Sequence, residues 1–84
     1  MLSIQYFASI REALDRNNEE LELPANVSSV QALIDYLLDA NPHFEAIFNK
    51  DSKVLVAVNQ TVVGRNHPLS ENDEVAFFPP MTGG

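Results

Sequence analysis

The chemistry that this sequence offers is concentrated in its last six residues, Pro79-Pro80-Met81-Thr82-Gly83-Gly84. Two adjacent prolines favour an extended backbone and cannot continue a strand ladder. At about 3.3 Å per residue, the segment 79–84 reaches roughly 20 Å from its point of attachment. Because Gly83 and Gly84 have no side chains, such a tail fits a channel too narrow for other residues, and its one reactive group is the Gly84 carboxylate.

A free carboxylate is a poor acyl donor, so Gly84 needs activation, for example as an acyl-adenylate made by another protein. The activated group then accepts sulfur, as a thiocarboxylate, or couples to an amine. The 84 residues contain no cysteine, so if the protein carries sulfur, the C-terminus is the place to hold it. The alternative is an inert, frayed end that happens to read Gly-Gly.

Other reactive groups are sparse. His43 and His67 are isolated and have no partner at metal-ligand spacing. There is no nucleophile elbow around a serine, and Gly64 stands apart from any phosphate-binding loop. We therefore expect the folded part to hold no catalytic residue, no metal and no bound cofactor.

Charge and hydropathy limit the classes of partner. Twelve acidic and five basic residues give a net charge of −7, which disfavours nucleic acid and anionic membrane surfaces and suits a partner with a basic face. The start of the sequence has no targeting pattern, and no apolar run approaches membrane length. The expected location is the cytoplasm.

Residue patterning predicts five strands and one principal helix. The predicted strands are 2–7, 20–23, 54–58, 61–63 and 74–78. The principal helix starts at a capping box of Ser28 and Gln31, and its apolar stripe is Val30, Leu33, Ile34, Leu37 and Leu38.

Shorter elements and turns complete the pattern. Ser9 and Glu12 have the spacing of a second capping box, and Phe44 to Phe48 suggest one further helical turn. A polar break is expected at residues 50–53, a turn at Asn59-Gln60, and a left-handed backbone at Asn72. The resulting fold class is α+β, with a mixed sheet curled over the helix and with the first and last strands inside the sheet.

Several segments together resemble the small, sulfur-carrier subunits of molybdopterin synthase, which belong to the ubiquitin-like carriers that end in Gly-Gly. The resemblance covers nearly the whole chain and is most specific from Asn59 onward. The segments that carry it are 2–7, Ala8-Ser9-Ile10-Arg11-Glu12, Val58-Asn59-Gln60, His67-Pro68-Leu69, 73–80 and Gly83-Gly84. One departure is Asn72, where family members commonly have glycine, although asparagine tolerates a left-handed backbone.

The resemblance implies a β-grasp domain over residues 1–78 and an extended tail over 79–84. It implies that an ATP-dependent adenylating enzyme activates Gly84 and that a sulfurtransferase system converts it to a thiocarboxylate. The tail then enters the large synthase subunit and gives sulfur to cyclic pyranopterin monophosphate, forming the molybdopterin dithiolene. The small subunit is then a co-substrate without catalytic residues of its own, and a dimeric large subunit implies a heterotetramer.

A docking face beside the tail is expected, because the tail must be placed accurately. Phe7, Val62 and Phe78 are predicted to share the face of the sheet that the helix leaves uncovered, and the resemblance puts matching positions at the subunit contact. Pro79, Pro80, Met81 and Thr82 continue this partner-binding surface. The alternative places Phe7 or Phe78 in a minor core under a loop. Nearby Glu71, Asp73 and Glu74 are expected to speed association with a basic partner.

Three other functions stay open at this point. A sulfur carrier of thiamine biosynthesis shares the fold and the ending, although the Phe77-Phe78-Pro79-Pro80 run and the chain length speak against it. A ubiquitin-like modifier would be joined to lysines of target proteins. A plain binding domain would have an inert tail.

Overall fold

The computed structural model describes residues 1–48 and 53–80. Within these ranges the chain forms five strands, three α-helices and one 3-10 turn. In chain order they are β1 Leu2–Tyr6, α1 Ala8–Leu14, β2 Asn18–Leu21, α2 Val30–Ala40, the 3-10 turn Pro42–Phe44, α3 Glu45–Phe48, β3 Leu55–Val58, β4 Thr61–Val63 and β5 Glu74–Phe78. Of the polar break predicted at 50–53, residues 50–52 lie outside the described residues and Lys53 is exposed.

The five strands form one mixed sheet in the order β2-β1-β5-β3-β4. The β1 and β5 strands run parallel, and the other neighbouring pairs are antiparallel. The first and last strands of the chain therefore lie inside the sheet, as the sequence predicts. With α2 packed on one face of this sheet, the predicted α+β, β-grasp fold is confirmed.

The core lies between the sheet and α2. On α2 the predicted stripe is buried at Val30, Leu33, Ile34 and Leu37, while Leu38 is partly buried and packs against the core. On the sheet side, the ring of Phe77 stacks on Tyr6 at 6.0 Å between centroids and meets Phe48 edge-on at 5.0 Å. The helical turns after Asn41, which the sequence also predicts, therefore supply part of the aromatic core.

The principal helix is capped by Ser29 and not by the predicted Ser28. The Ser29 hydroxyl accepts a hydrogen bond from the Ala32 amide at 3.2 Å. The Ser28 carbonyl instead accepts from the Leu69 amide at 2.9 Å, which ties this segment to the loop before β5. This loop is distant in sequence and fixes the residue at which α2 begins. The capping-box spacing therefore predicted the wrong serine as the N-cap.

Four other elements differ from the predicted boundaries by one or two residues, and two of them, β1 and β3, are each one residue shorter than expected. The N-cap of α1 is Phe7 and not the predicted Ser9, because the Phe7 carbonyl accepts from the Ile10 and Arg11 amides without a side-chain bond, and the helix begins at Ala8. Strand β2 covers 18–21 and not 20–23, because its antiparallel register with β1 pairs Gln5 with Asn18. For α1 and β2, hydrogen bonding between strands set the boundary: Phe7 is bonded to Phe77 of β5, and Asn18 pairs with Gln5 of β1. The local sequence pattern does not contain these contacts.

We predict that Ser29→Ala lowers the free energy of unfolding by about 1 kcal/mol, because the Ala32 amide loses its acceptor. The matched variant Ser28→Ala is expected to change it by only a few tenths of a kcal/mol, since the bond at residue 28 uses the backbone carbonyl. Urea unfolding of the two variants measures this difference, and equal losses would contradict the assignment of the cap.

Candidate functional site

Strand alternation divides the sheet into a core face and an outer face. In β5 the exposure alternates, with Val75 and Phe77 buried and Ala76 and Phe78 partly exposed. In β1 the same alternation buries Leu2, Ile4 and Tyr6. The outer face is formed by Ser3, Gln5, Phe7, Asn18, Glu20, Leu55, Ala57, Val62, Glu74, Ala76 and Phe78, as the strand registers place them.

Six of these residues form what we call the apolar patch: Phe7, Leu55, Ala57, Val62, Ala76 and Phe78. One cross-strand row runs from Ala76 to Ala57 and on to Val62. A second row pairs Phe78 with Leu55, and continuing the β1–β5 register by one residue brings Phe7 beside Phe78. None of the six belongs to the core cluster of the described residues. The three aromatic and aliphatic residues predicted from the sequence therefore share one face.

The apolar patch is open to solvent at two of its members, whereas Leu55, Ala76 and Phe78 are half-buried and Ala57 is buried. Phe7 retains 43% of its accessible surface and Val62 retains 62%. Contiguous exposed apolar surface on a small domain marks an interaction site. Leu55 and Ala57 were not predicted as members of the patch. The sequence does contain a signal for them, because the run 54–58 is apolar at every position and β3 therefore has apolar side chains on both faces.

Phe7 is held at the edge of the patch by both of its backbone groups. Its amide donates to the Phe77 carbonyl at 3.1 Å and continues the ladder with β5. Its carbonyl accepts from the Ile10 amide at 3.1 Å, and the chain then turns at Ala8, where φ is 53°. This turn sends Ile10 and Leu14 into the core and leaves Phe7 on the other side of the sheet.

The base of the tail lies at the edge of the same patch. Strand β5 ends at Phe78, and Pro79 is half-buried while Pro80 is exposed. Met81, Thr82, Gly83 and Gly84, which the sequence analysis singles out, lie outside the described residues. Their roles, and the partner contacts assigned to the other site residues, remain predictions.

The opposite end of β5 is fixed by a polar clasp centred on Asn59. The Asn59 side chain donates to Asp73 Oδ1 and accepts from the Glu74 amide, each at 3.0 Å. The other oxygen of Asp73 accepts from the Ser70 amide at 2.8 Å. Asn59 and Asn72 both have positive φ, 51° and 69°, which confirms the left-handed backbone predicted at Asn72. Asn59 and Asp73 lie in separate sequence motifs, and neither motif predicts this contact.

The acidic residues expected to steer a partner lie at this clasped end of β5. The carboxylate of Asp73 is used within the clasp, and Glu71 lies 3.5 Å from the N-terminal amine. Glu74 accepts a hydrogen bond from the Gln5 side chain at 3.0 Å. They therefore lie at the end of the outer face that is remote from the tail, and their effect on association remains a prediction.

A second polar cluster locks the edge of the sheet to the end of α2. The Tyr6 hydroxyl donates to Glu19 Oε2 at 2.8 Å, and Arg16 donates to the same oxygen at 3.0 Å and to Asn41 Oδ1 at 3.1 Å. Burial raises the pKa of Tyr6 well above its usual value, and the hydrogen bond and charge of Glu19 raise it further. Tyr6 is thus a protonated donor with a structural role.

The histidines occupy separate surroundings. His43 is exposed and meets the Phe44 ring edge-on at 4.8 Å between centroids. The His67 carbonyl accepts from the Val30 amide at 2.9 Å and helps to seat α2. Over residues 1–48 and 53–80, no three His, Cys, Asp or Glu side chains come together as a metal site would require. In the same part of the chain, no helix has the length and hydropathy of a membrane span.

Comparison with known proteins places this geometry in a family. The chain matches the model of the ThiS family over residues 4–84. It is 40% identical, over 100% of both chains, to the molybdopterin synthase sulfur carrier subunit of Escherichia coli (strain K12). The solved structure of a putative molybdopterin converting factor, subunit 1, from Pyrococcus furiosus has 29% identity and a TM-score of 0.77, covering 95% of this chain and 97% of that one.

A further likeness concerns an assembly. A chain in the protein-protein complex of subunits 1 and 2 of the molybdopterin-converting factor from Helicobacter pylori 26695 has a TM-score of 0.66, with 99% of this chain and 97% of that chain covered. At 18% identity this likeness shows the shared fold.

The fold thus defines a small ubiquitin-like β-grasp domain in which α2 packs on one face of the sheet and the other face carries the apolar patch. The chain belongs to the ThiS family, and relatives that match it over their full length are molybdopterin synthase sulfur carrier subunits. The family that the sequence resembles is confirmed.

We predict that Tyr6→Phe costs about 1 kcal/mol of unfolding free energy at neutral pH, because the Glu19 carboxylate loses a donor. The raised pKa of Tyr6 also gives a pH dependence. Since the folded state keeps the phenol protonated, its contribution is complete below the unfolded pKa of about 10 and is lost as pH rises further, at up to about 1.4 kcal/mol per pH unit.

Urea unfolding between neutral pH and about pH 11 measures this dependence, because the Tyr6 phenol of the unfolded chain ionises near pH 10. Tyr6→Phe should fall less steeply than the unsubstituted chain above that pH. Tyr36→Phe, which alters an exposed phenol, is the matched control and should keep the steeper fall. Parallel curves for all three proteins would show that Tyr6 makes no such contribution.

Proposed function

We propose that this chain is the sulfur carrier subunit of a molybdopterin synthase, with Gly84 as the group that carries sulfur. The full-length likeness to the Escherichia coli sulfur carrier subunit supports this assignment. The observation that carries it here is the junction of tail and face: β5 ends at Phe78 within the apolar patch, and the two prolines follow directly.

This junction suits a carrier that must deliver its last residue into another protein. An apolar patch gives a partner a surface to bury, and aromatic side chains such as Phe7 and Phe78 are frequent energetic centres of interfaces. Because Pro79 and Pro80 restrict the backbone, less conformational entropy is lost when the tail enters a narrow channel. Docking on the patch then fixes where the tail starts, and the prolines restrict its direction.

The chemistry proposed for Gly84 proceeds in two activation steps. A carboxylate oxygen attacks the α-phosphate of ATP on an adenylating enzyme, forming the acyl-adenylate and releasing pyrophosphate. A persulfide on a sulfurtransferase then attacks the acyl carbon and AMP leaves, and a thiol cleaves the resulting acyl disulfide by exchange, so that the thiocarboxylate is released and a disulfide is formed. In the synthase, the thiocarboxylate sulfur attacks cyclic pyranopterin monophosphate, and water then cleaves the resulting acyl–sulfur bond, so that sulfur stays on the substrate and Gly84 returns as a carboxylate.

The general acid and base groups and the contacts to substrate phosphate are assigned to a larger, catalytic partner subunit. The described part of this chain supports that division, since Tyr6 is a buried neutral donor and the two histidines lie apart in separate contacts. The chain acts as a co-substrate, with the thiocarboxylate and the acyl-adenylate as transient covalent forms of its terminus.

We predict that Phe78→Ala weakens binding to the larger synthase subunit by about 2 kcal/mol, roughly thirtyfold in Kd, as expected for an aromatic residue at the centre of an interface. Tyr36→Ala is the control, because it truncates an aromatic side chain on α2, away from the apolar patch, that is 40% exposed. Titration calorimetry measures both variants. Unchanged Kd for Phe78→Ala, with a normal melting temperature, would remove Phe78 from the interface.

The carrier role itself is tested by the mass of the intact protein produced together with its own biosynthetic partners. We predict a form in which one oxygen is replaced by sulfur, mapped to Gly84 by fragmentation. Deletion of Gly83 and Gly84 should abolish this form and the synthesis of molybdopterin, while the melting temperature stays unchanged because both residues follow the last strand.

The other functions give different results in the same experiment. Normal molybdopterin synthesis by the shortened chain would indicate an inert tail. Adducts joining Gly84 to lysines of other proteins, in the absence of the sulfur-containing form, would indicate a modifier. Addition of one bulky residue after Gly84 is expected to stop synthesis as completely as the deletion, and normal synthesis by the untrimmed, extended chain would contradict the proposal.

A further inference from the structure

The outer face carries negative charge at the end remote from the tail. Ser3 pairs with Glu20 on one side and with Glu74 on the other, so that one cross-strand row places two carboxylates on this face. Glu20 is exposed and Glu74 is half-buried beside Gln5. A partner that covers the apolar patch and extends to this row meets both carboxylates.

A single cation, Lys53, marks the other end of the described outer face. Lys53 lies two residues before Leu55, which pairs with Phe78, the last residue of β5, so Lys53 is near the end of the sheet where the tail begins. Val54 packs against the core and Leu55 does not, and this alternation, extended back to residue 53, puts Lys53 on the same side as Leu55. Lys53 is exposed, and the ion pairs formed within residues 1–48 and 53–80 do not include it.

The charges at the two ends act separately. Glu74 and Phe78 are four residue steps apart along β5, a distance of about 13 Å. This exceeds the screening length of about 8 Å at physiological ionic strength. Each end of the face therefore presents its own charge to a partner, with the apolar patch between them.

We propose that this polarity sets the orientation in which the face docks on the larger synthase subunit, an inference that rests on the proposed function. Lys53 faces a carboxylate beside the mouth of the channel that receives the tail, and Glu20 and Glu74 face cations at the far side of the same interface. An apolar patch alone permits rotated encounters, which point the tail away from the channel. Rotation by half a turn brings like charges together, which penalises these encounters.

The test is a charge swap, Lys53→Glu together with Glu20→Lys, which keeps the net charge of the chain at −7. Both side chains are exposed, so we expect an unchanged melting temperature. The association rate constant with the larger subunit, measured by stopped flow, should fall about tenfold at low salt. The reason is that the swapped charges no longer favour the orientation that leads to binding. The two proteins should associate at similar rates near 1 M salt, where screening acts within about 3 Å.

A second pair of variants separates position from total charge. Lys53→Gln and Asn26→Asp each make the chain more negative by one unit, but Asn26 lies beside Tyr36 of α2, away from the outer face. We expect Lys53→Gln to slow association at low salt several-fold and Asn26→Asp to leave it nearly unchanged. Equal effects would show that only total charge matters and would overturn the proposal.

The outcomes distinguish this inference from the function on which it rests. If the unsubstituted chain binds the larger subunit and delivers sulfur while the charge-swapped chain associates equally fast at low salt, the orientation mechanism is wrong and the carrier function stands. If the unsubstituted chain neither binds that subunit nor acquires sulfur at Gly84, both proposals fail together.

Discussion

The register of strand β5 determines which of its side chains enter the core and which lie on the outer face of the sheet. The core, the apolar patch and the start of the tail all depend on this register. Val75 and Phe77 are buried in the core, while Ala76 and Phe78 face outward. Because β5 is hydrogen-bonded on both sides, to β1 and to β3, a shift of one residue would exchange the two faces and bury the wrong set. The same register fixes the residue at which the strand stops and the tail begins.

Contacts at both ends of β5 hold this register. At its start, the side chain of Asn59 binds Asp73 and the Glu74 amide, so the hairpin between β3 and β4 is tied to the first residue of the strand. Near its end, the Phe7 amide donates to the Phe77 carbonyl before the chain turns away at Ala8. On the core face of the sheet, the aromatic contacts of Phe77 with Tyr6 and Phe48 also stabilise the strand.

The outer face of the sheet has few kinds of side chain, and strand pairing fixes where each of them lies. Burial and the hydrogen bond to Glu19 keep Tyr6 as a neutral donor in the polar cluster between the sheet and the end of α2. The outer face combines an apolar patch with carboxylates at one end and Lys53 at the other. Such a face is suited to recognition and delivery, which matches a chain whose proposed reactive group is its own terminus.

The sequence by itself determined the elements whose signals are local and periodic. The alternation in 2–6, the stripe on α2 and the paired prolines after Phe78 were sufficient to predict the mixed sheet, the principal helix and the start of the tail. The resemblance to sulfur carriers added the expected function. The shared face of Phe7, Val62 and Phe78 followed from the period of two in each strand.

Where the local sequence allowed more than one cap or strand boundary, only the tertiary structure decided which one forms. Ser29 caps α2 because the Ser28 carbonyl is bound by Leu69, 41 positions further along the chain. Strand β2 starts at Asn18 because its register with β1 requires it. The clasp of Asn59 with Asp73 and the position of Glu20 beside Ser3 on the outer face likewise arise from strand pairing. Pairing joins residues distant in sequence, so short-range patterns do not contain this information.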